Sequence, residues 1–199
     1  GSAIHLSGSG TRADLHSVLV ARNVLYGVDN GTSTIELTSS ADATLRHVTM
    51  AGNFRVSDQF PGLEPTASSI RANGAASTLE LRNSILWNDA TVVLRLLAGA
   101  SSSGSCVFAH EAASFPPATV LDPLYVDTTG SNPDFSLASG SPAIDECAAS
   151  GPNEVDLFGA IRPQDLPGVG GGAGPFDAGA IEVLRDFLLS DGFEDPPLP

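Results

Sequence analysis

Three nine-residue segments that align without gaps constrain the fold of this chain more than any other feature. They span residues 15–23, 45–53 and 81–89, at spacings of 30 and 36 residues, and each alternates apolar and polar positions before ending in Asn or Asp. Such alternation is typical of short strands with one buried and one solvated face. A strand that recurs at this interval can bury its inward face by stacking on the next copy, as in a solenoid. The alternative is chance similarity between apolar strands of a β-sandwich.

The alignment predicts which side chains stack on one another. Two aligned apolar sets are expected to form inward ladders: Leu15, Leu45, Leu81 and Val20, Met50, Leu86. A third set is expected at a recurring corner: Asn23, Asn53 and Asp89. Asn tolerates left-handed backbone and can bond neighbouring backbone groups at such bends.

The periodicity divides the chain into three parts. We expect an all-β region of about three repeats over residues 1–100, a last repeat with an irregular cap over 101–185, and an acidic, Pro-rich tail over 186–199. Residues 99–105 are predicted to form a Gly/Ser turn. The chain starts within what looks like a repeat, so we expect further repeats and any signal peptide to lie upstream of Gly1.

Acidic residues are concentrated near the C-terminus. Of the 23 acidic residues, 14 lie between Asp122 and Asp195, where only Arg162 and Arg185 oppose them. An acidic surface repels nucleic acid and anionic lipid, so neither is expected as a partner. The charge could serve solubility or could supply oxygen ligands to calcium. No apolar run of about 18 residues exists, so no transmembrane segment is predicted.

The two cysteines, Cys106 and Cys147, show no metal-ligand spacing. A zinc site is therefore not predicted. In a secreted protein two lone cysteines could form one disulfide, although sequence alone does not establish the pairing.

Five motifs in the C-terminal half occur in a fixed order. They are DPLY at 122–125, DFSL at 134–137, SPAID at 141–145, DLFGAIRP at 156–163 and DAGAIE at 177–182, and NSILW at 83–87 precedes them. This series resembles the C-terminal end of bacterial right-handed parallel β-helix proteins, including the choice-of-anchor and polymorphic-outer-membrane-protein-like groups. The tail LLSDGFE at 188–194 resembles the short ending of many exported bacterial proteins. The resemblance implies a right-handed parallel β-helix (a solenoid) with an irregular C-terminal cap, and secretion, without implying one activity.

A set of charged residues in these motifs invites two interpretations: Asp145, Asp156, Arg162, Asp177 and Glu182. An arginine fork that bonds carboxylates could lock a cap over the exposed end of the solenoid and its edge strands. A calcium site or an acid/base pair is the alternative. Because the motifs recur in family members of differing function, the structural interpretation is favoured.

His16 and His47 belong to neighbouring repeats and are predicted to lie about 5 Å apart on the outer face of neighbouring strands. Two imidazoles without a third ligand make a poor metal site, and outward polar positions are usually solvated. We therefore predict no metal site at this pair.

Aromatic residues offer candidate sugar-stacking positions. Trp87 is followed by Asn88 and Asp89, which could bond hydroxyl groups, while Phe54 and Phe60 belong to a loop expected over residues 54–65. Packing in the core is the competing role for these side chains.

The sequence contains no convincing catalytic site. It has no lysine, no GxSxG, P-loop or HExxH motif, and no evident pair of facing carboxylates. We expect a secreted or cell-surface module, structural or adhesive, that could bind a polysaccharide or another surface protein. The alternative is the end of a polysaccharide lyase or glycoside hydrolase whose catalytic residues lie upstream.

Overall fold

The structure is a computed structural model that describes residues 2–26, 32–56, 68–88, 92–152, 154–166, 168–170 and 172–184, with the side chains of 26 and 54–56 left undescribed. This part of the chain is all-β, and none of it forms a helix long and apolar enough to cross a membrane. Its strands are β1 (Ile4–Ser7), β2 (Arg12–Ala21), β3 (Val24–Tyr26), β4 (Ser33–Thr38), β5 (Asp42–Ala51), β6 (Phe54–Val56), β7 (Ser68–Asn73), β8 (Thr78–Trp87), β9 (Val92–Leu97), β10 (Ser101–Ala109), β11 (Ala118–Thr119), β12 (Tyr125–Asp127) and β13 (Asp134–Leu137).

The strands form two larger parallel sheets and two smaller pairs. One sheet has four strands in the order β1-β4-β7-β9, and the other has five in the order β11-β10-β8-β5-β2. Strand β3 pairs with β6 in parallel, and β12 pairs with β13 in antiparallel. The two larger sheets bury their apolar faces in one shared cluster, to which both Ile35 and Leu45 belong.

The architecture corrects the expected fold class. A single right-handed parallel β-helix was predicted, whereas the strands form two separate parallel sheets of four and five strands. The aligned segments of the sequence belong to β2, β5 and β8, which all lie in the five-stranded sheet. The sequence alignment therefore predicts strand pairing in the five-stranded sheet only, and it does not predict the arrangement of the four-stranded sheet.

The inner face of the five-stranded sheet is a row of leucines that ends at a glycine. Leu15, Leu45 and Leu81 are register partners, and the next partner in the row is Gly104. Phe115 is almost fully buried, and a Cβ added to Gly104 would lie 2.8 Å from its ring. The glycine thus leaves room for an aromatic ring where the leucine row ends.

This arrangement corrects the turn predicted over residues 99–105. Strand β10 begins at Ser101 and runs through Gly104, so the turn is confined to the residues before it. The extended conformation is favoured there because β10 adds to the edge of β8 and satisfies its backbone groups.

A ladder of asparagines connects the strand ends. Asn53 accepts hydrogen bonds through Oδ1 from the backbone N and Nδ2 of Asn23, at 3.0 and 2.8 Å. Asn88 Oδ1 accepts equivalent bonds from the backbone N and Nδ2 of Asn53, at 2.8 and 3.1 Å. The sequence alignment predicted Asp89 as the third member, and the structure places Asn88 there; Asp89 itself lies outside the described residues.

Four strands of the five-stranded sheet share a bend at one position. Ser17, His47, Asn83 and Cys106 all have positive φ, between 48° and 52°. Each lies two residues after its member of the row that starts at Leu15, and none of the four appears among the register pairs. A line of left-handed residues, here called the bend line, therefore crosses β2, β5, β8 and β10.

The C-terminal segment, defined as residues 141–184, is attached along the bend line. Ser17 Oγ donates to the carbonyl of Val155 at 2.5 Å, and Asn83 Nδ2 donates to the carbonyl of Ala148 at 2.7 Å. Cys106 forms a disulfide with Cys147. The remaining member, His47, contacts Glu154 and is described below.

These contacts also change the role expected of the cap. The C-terminal segment contacts four successive strands, so it lies across the face of the sheet rather than over its end. A second apolar cluster, here called the outer apolar cluster, forms between the sheet and the segment. It includes Ile85, Phe108, Leu137, Ile144, Phe176 and Val183. Alternate residues of the same strands, such as Leu86 and Val107, face the inner cluster instead.

Candidate functional site

A cavity of about 600 Å³ lies beside the ends of the β2, β5 and β8 strands. Its lining residues are Arg22, Ala51, Gly52, Asn53, Trp87, Asp122, Leu124, Tyr125, Thr128 and Phe135. The volume falls within the range of about 300–1,000 Å³ typical of small-molecule pockets. We call it the Trp87 pocket.

Trp87 supplies one aromatic wall of this pocket. It is the last residue of β8, it is only partly buried, and its ring meets that of His110 edge-on, with centroids 6.3 Å apart. Its packing against the outer apolar cluster holds the indole in place. A fixed and partly exposed aromatic face at a cavity is a feature that a flat apolar ligand surface can use.

Tyr125 and Phe135 supply further aromatic surface. Their rings are perpendicular, with centroids 5.4 Å apart. The hydroxyl of Tyr125 is buried and has no hydrogen-bond partner within the described part of the chain. Burial raises the pKa of Tyr125, so the phenol remains protonated and keeps its O–H donor.

The polar lining combines both charges. Arg22 Nη1 donates to the carbonyl of Gly130 at 2.7 Å, which orients the guanidinium. Asp122 Oδ1 accepts a hydrogen bond from the backbone N of Leu124 at 2.8 Å. Arg22 and Asp122 therefore offer a donor and an acceptor group at the same cavity that Trp87 lines.

The predicted ligand-binding residues differ in whether their side chains line the pocket. Trp87 lines the pocket, whereas Asn88 is fully buried and uses its amide in the asparagine ladder and in a 2.8 Å bond to Ser69 Oγ. An Asn88 engaged in this way has no free amide to offer a ligand. The side chain of Phe54, and all of Phe60 and Asp89, lie outside the described residues.

The predicted charged set forms a buried network in the C-terminal segment. Arg162, fully buried at its side chain, pairs with Glu182 and donates to the carbonyls of Gly179 at 2.8 Å and Asp177 at 3.3 Å. Glu182 Oε1 also accepts from the backbone N of Gln164 at 2.9 Å. The arginine therefore ties the chain around residue 162 to residues 177–182 of the same segment.

The aspartates of this network bind backbone amides. Asp177 accepts from the N–H groups of Asp145 and Val183, at 2.9 and 2.7 Å. Asp145 Oδ2 accepts from the backbone N of Leu166 at 2.8 Å, and its other oxygen has no partner among the described residues. Asp156 Oδ1 accepts from the backbone N of Phe158 and Ala160, both at 2.8 Å. Carboxylates used in this way replace the regular backbone pairing that an irregular segment lacks.

Burial dominates the electrostatics of the network. Burial raises the pKa of Asp177 to about 6, although the hydrogen bonds from the backbone N–H groups of Val183 and Asp145 act to lower it. Burial, and then the charge of Asp177, raise the pKa of Glu182 to about 7, although the Arg162 guanidinium opposes this. The network thus carries more carboxylates than its one arginine balances.

A separate cluster joins His16, His47 and Glu154. One potential ligand atom of each lies within 4.8 Å of the others. His47 Nε2 is 2.8 Å from Glu154 Oε2, with side chains 0 and 1 % exposed, and the two histidine ring centroids are 5.8 Å apart. His47 was expected on a solvated outer face, and the C-terminal segment buries it instead.

The partners of this cluster fix its orientation. His47 Nδ1 lies 3.2 Å from the carbonyl oxygen of Asp177, and Ser150 Oγ donates to Glu154 Oε1 at 2.6 Å. Burial, and then the charge of Arg162, lower the pKa of His47 to about 4. Burial also lowers the pKa of His16. No sequence pattern pointed to Glu154, because it lies 107 residues from His47 in a loop without periodicity.

Comparisons with protein-family models, with curated proteins and with solved structures found no match to this chain. The resemblance of its motifs to bacterial surface proteins therefore stays a prediction. Function is argued below from the geometry of the described residues.

Proposed function

We propose that this chain is a secreted or cell-surface module that binds carbohydrate at the Trp87 pocket. The observation that carries the proposal is the partly exposed indole of Trp87 beside a cavity of about 600 Å³ that Arg22 and Asp122 also line. An aromatic ring can pack against the apolar face of a sugar, and charged groups at its edge can bond hydroxyl or carboxylate groups.

The extracellular location is supported by the disulfide between Cys106 and Cys147. Disulfides persist mainly in oxidising environments such as the cell surface and the periplasm. The excess of acidic residues supports a ligand that is not a polyanionic nucleic acid. A structural or adhesive role fits a binding pocket carried by two packed sheets.

The test is binding of the intact chain to a panel of polysaccharides, with and without calcium, together with analysis of the products. We expect binding without cleavage to at least one of them. Trp87→Ala should weaken that binding at least about tenfold, the loss typical of an aromatic anchor worth more than about 1.4 kcal/mol. Phe158→Ala is the matched control, because Phe158 is 76 % exposed and does not line the pocket.

A second variant guards against misfolding of Trp87→Ala, since Trp87 also packs against the outer apolar cluster. Asp122→Asn keeps an oxygen for the Leu124 amide and removes the charge at the pocket. Unchanged affinity in both variants would contradict the proposal. Release of shortened or unsaturated sugars would instead favour the lyase or hydrolase alternative, and dependence on calcium would identify it as a cofactor.

A further inference from the structure

We propose that His16, His47 and Glu154 bind one divalent transition metal ion, with zinc as the ion that fits best. This site includes one member of the bend line, His47, and involves none of the residues that line the Trp87 pocket. The proposal is therefore independent of carbohydrate binding.

The three side chains supply a donor set that zinc uses in proteins, namely two imidazoles and one carboxylate. Their ligand atoms already lie within 4.8 Å of one another. Zinc bound at about 2.0–2.2 Å from each ligand requires neighbouring ligand atoms roughly 3.3 Å apart. The His47 and Glu154 ligand atoms, 2.8 Å apart, must therefore separate slightly. The wider separations need to close by no more than about 1.5 Å, which a half-buried His16 can provide through its side-chain torsions.

The hydrogen-bond pattern of His47 leaves a lone pair pointing at a carboxylate. Its Nδ1 faces the carbonyl oxygen of Asp177, which only accepts, so Nδ1 carries the proton. Asn83 Nδ2, which can only donate, lies 3.4 Å from Nε2, as expected if Nε2 carries no proton. In the neutral ring, Nε2 and Glu154 Oε2 are then two acceptors 2.8 Å apart. A cation between them resolves this conflict.

His16 adds a third potential ligand atom, a buried ring nitrogen without a partner among the described residues. Its Nε2 is buried and makes no hydrogen bond to any described residue. A buried polar atom with no partner loses its hydrogen bonds to water without replacement, and a metal–ligand bond would offset that loss. A bound metal would therefore explain why a histidine lies at this position, since no described residue pairs with its Nε2.

The surrounding charge favours a dication over a proton alone. Four buried carboxylates, those of Glu154, Asp156, Asp177 and Glu182, surround the single buried guanidinium of Arg162. The nearby Arg46 is paired with Asp14, at 2.7 Å, although its positive charge still acts on His16. A divalent ion at Glu154 offsets part of this excess negative charge.

The contacts of the ligands match those of a metal site. The carbonyl of Asp177 holds the ring of His47, and the hydroxyl of Ser150 holds the carboxylate of Glu154. Such second contacts fix the tautomer and orientation of metal ligands. Nitrogen donors select zinc, cobalt, nickel or copper and disfavour calcium, which takes oxygen ligands.

The experiment uses the intact chain, stripped with a chelator and titrated with Zn²⁺ by calorimetry, with Co²⁺ absorption as a second readout. We expect one ion per chain and a thermal transition that rises with Zn²⁺ but not with Ca²⁺. His16→Ala should weaken Zn²⁺ binding at least about 100-fold, more than the loss of an outer contact. His5→Ala is the matched control, because His5 bonds Thr38 on the exposed side of β1.

Glu154→Gln is the second variant, since it keeps the side-chain volume at a buried position while removing the anionic ligand. It should abolish the Co²⁺ absorption band and keep the far-ultraviolet circular dichroism spectrum. Failure of the parent chain to bind Zn²⁺ below about 1 mM, or equal affinity in His16→Ala, would overturn the proposal. Either result would identify the cluster as a buried His47–Glu154 hydrogen bond that serves docking alone.

Discussion

His47 Nε2 lies 2.8 Å from Glu154 Oε2, although 107 positions separate the two residues in the sequence. The contact joins β5, the strand next to the β2 edge of the five-stranded sheet, to the C-terminal segment. With the neighbouring contacts of Ser17, Asn83 and Cys106, it makes the bend line the place where the segment is attached. Both the stability of the chain and the proposed metal site depend on this attachment.

The disulfide at one end of the bend line should be a large contributor to stability. Cys106 and Cys147 are 41 residues apart, and closing a loop of that length is worth about 4 kcal/mol in the chain-entropy account. The double variant Cys106→Ser, Cys147→Ser should lower the free energy of unfolding by roughly this amount in urea titrations. A reductant should shift the parent chain toward the variant and leave the variant unchanged. Free thiols in the folded parent chain would contradict the expectation.

The central member of the asparagine ladder should matter more than the terminal one. Asn53→Ala removes the acceptor for Asn23 and the donor to the Val20 carbonyl, which leaves buried backbone groups unpaired. We expect a loss of about 3 kcal/mol in the free energy of unfolding. Asn23→Ala is the control and should cost less than about 1 kcal/mol, because Asn23 is partly exposed and water can replace its bonds. Equal losses in the free energy of unfolding would contradict the expectation that the central asparagine contributes more than the terminal one.

Gly104 is expected to tolerate no side chain. A Cβ there would lie 2.6 Å from the Leu81 carbonyl oxygen and 2.8 Å from the ring of Phe115. Gly104→Ala should therefore destabilise the chain by about 1–3 kcal/mol through overpacking. Gly140→Ala is the matched control, since a Cβ there meets nothing within 4 Å, and it should change stability by less than about 0.5 kcal/mol. Thermal unfolding of the two variants side by side makes the comparison.

Glu182 should make stability fall as the pH rises. Burial and the charge of Asp177 raise its pKa from 4.5 in the unfolded chain to about 7 in the folded one. The folded state then binds the proton more tightly, so this contribution is complete below about pH 4.5 and is lost as the pH rises through about 7. The stability of the parent chain relative to Glu182→Gln should therefore decrease over this interval, by an amount on the order of 3 kcal/mol.

Urea titrations of both proteins at several pH values measure this difference. A difference that stays constant, or that grows with pH, would mean that the guanidinium of Arg162 keeps Glu182 ionised at all these pH values. That outcome would make the Arg162–Glu182 pair a simple ion pair with no proton uptake on folding.

Some structural relationships followed from local sequence patterns. The alternation in residues 15–23, 45–53 and 81–89 indicated strands, and the positions that it equated, Leu15, Leu45 and Leu81, are register partners. A strand pattern is readable because the side-chain period of two is a property of the backbone itself. Sequence similarity alone does not assign a strand to a sheet, since residues 33–37 (STIEL) resemble 77–81 (STLEL) and yet lie in the four-stranded sheet.

The candidate site was less accessible to such reasoning. Trp87 could be named from its type and its polar neighbours, but the cavity beside it also requires Tyr125 and Phe135 from the antiparallel pair. His16 and His47 could be assigned to neighbouring strands, although they are offset by one position, since His16 pairs with Arg46. Their carboxylate partner could not be identified. The loop that carries Glu154 has no period, and its position depends on the disulfide and on the apolar cluster beneath it.

The sequence by itself determined the all-β character, the alternation of buried and exposed positions and the row of leucines, because these depend on residues a few positions apart. Only the tertiary structure decided that the strands form two sheets rather than one solenoid, that Asn88 replaces Asp89 in the ladder, and that Glu154 meets His47. Those outcomes depend on which distant surfaces pack together, and many chain paths satisfy the same local pattern.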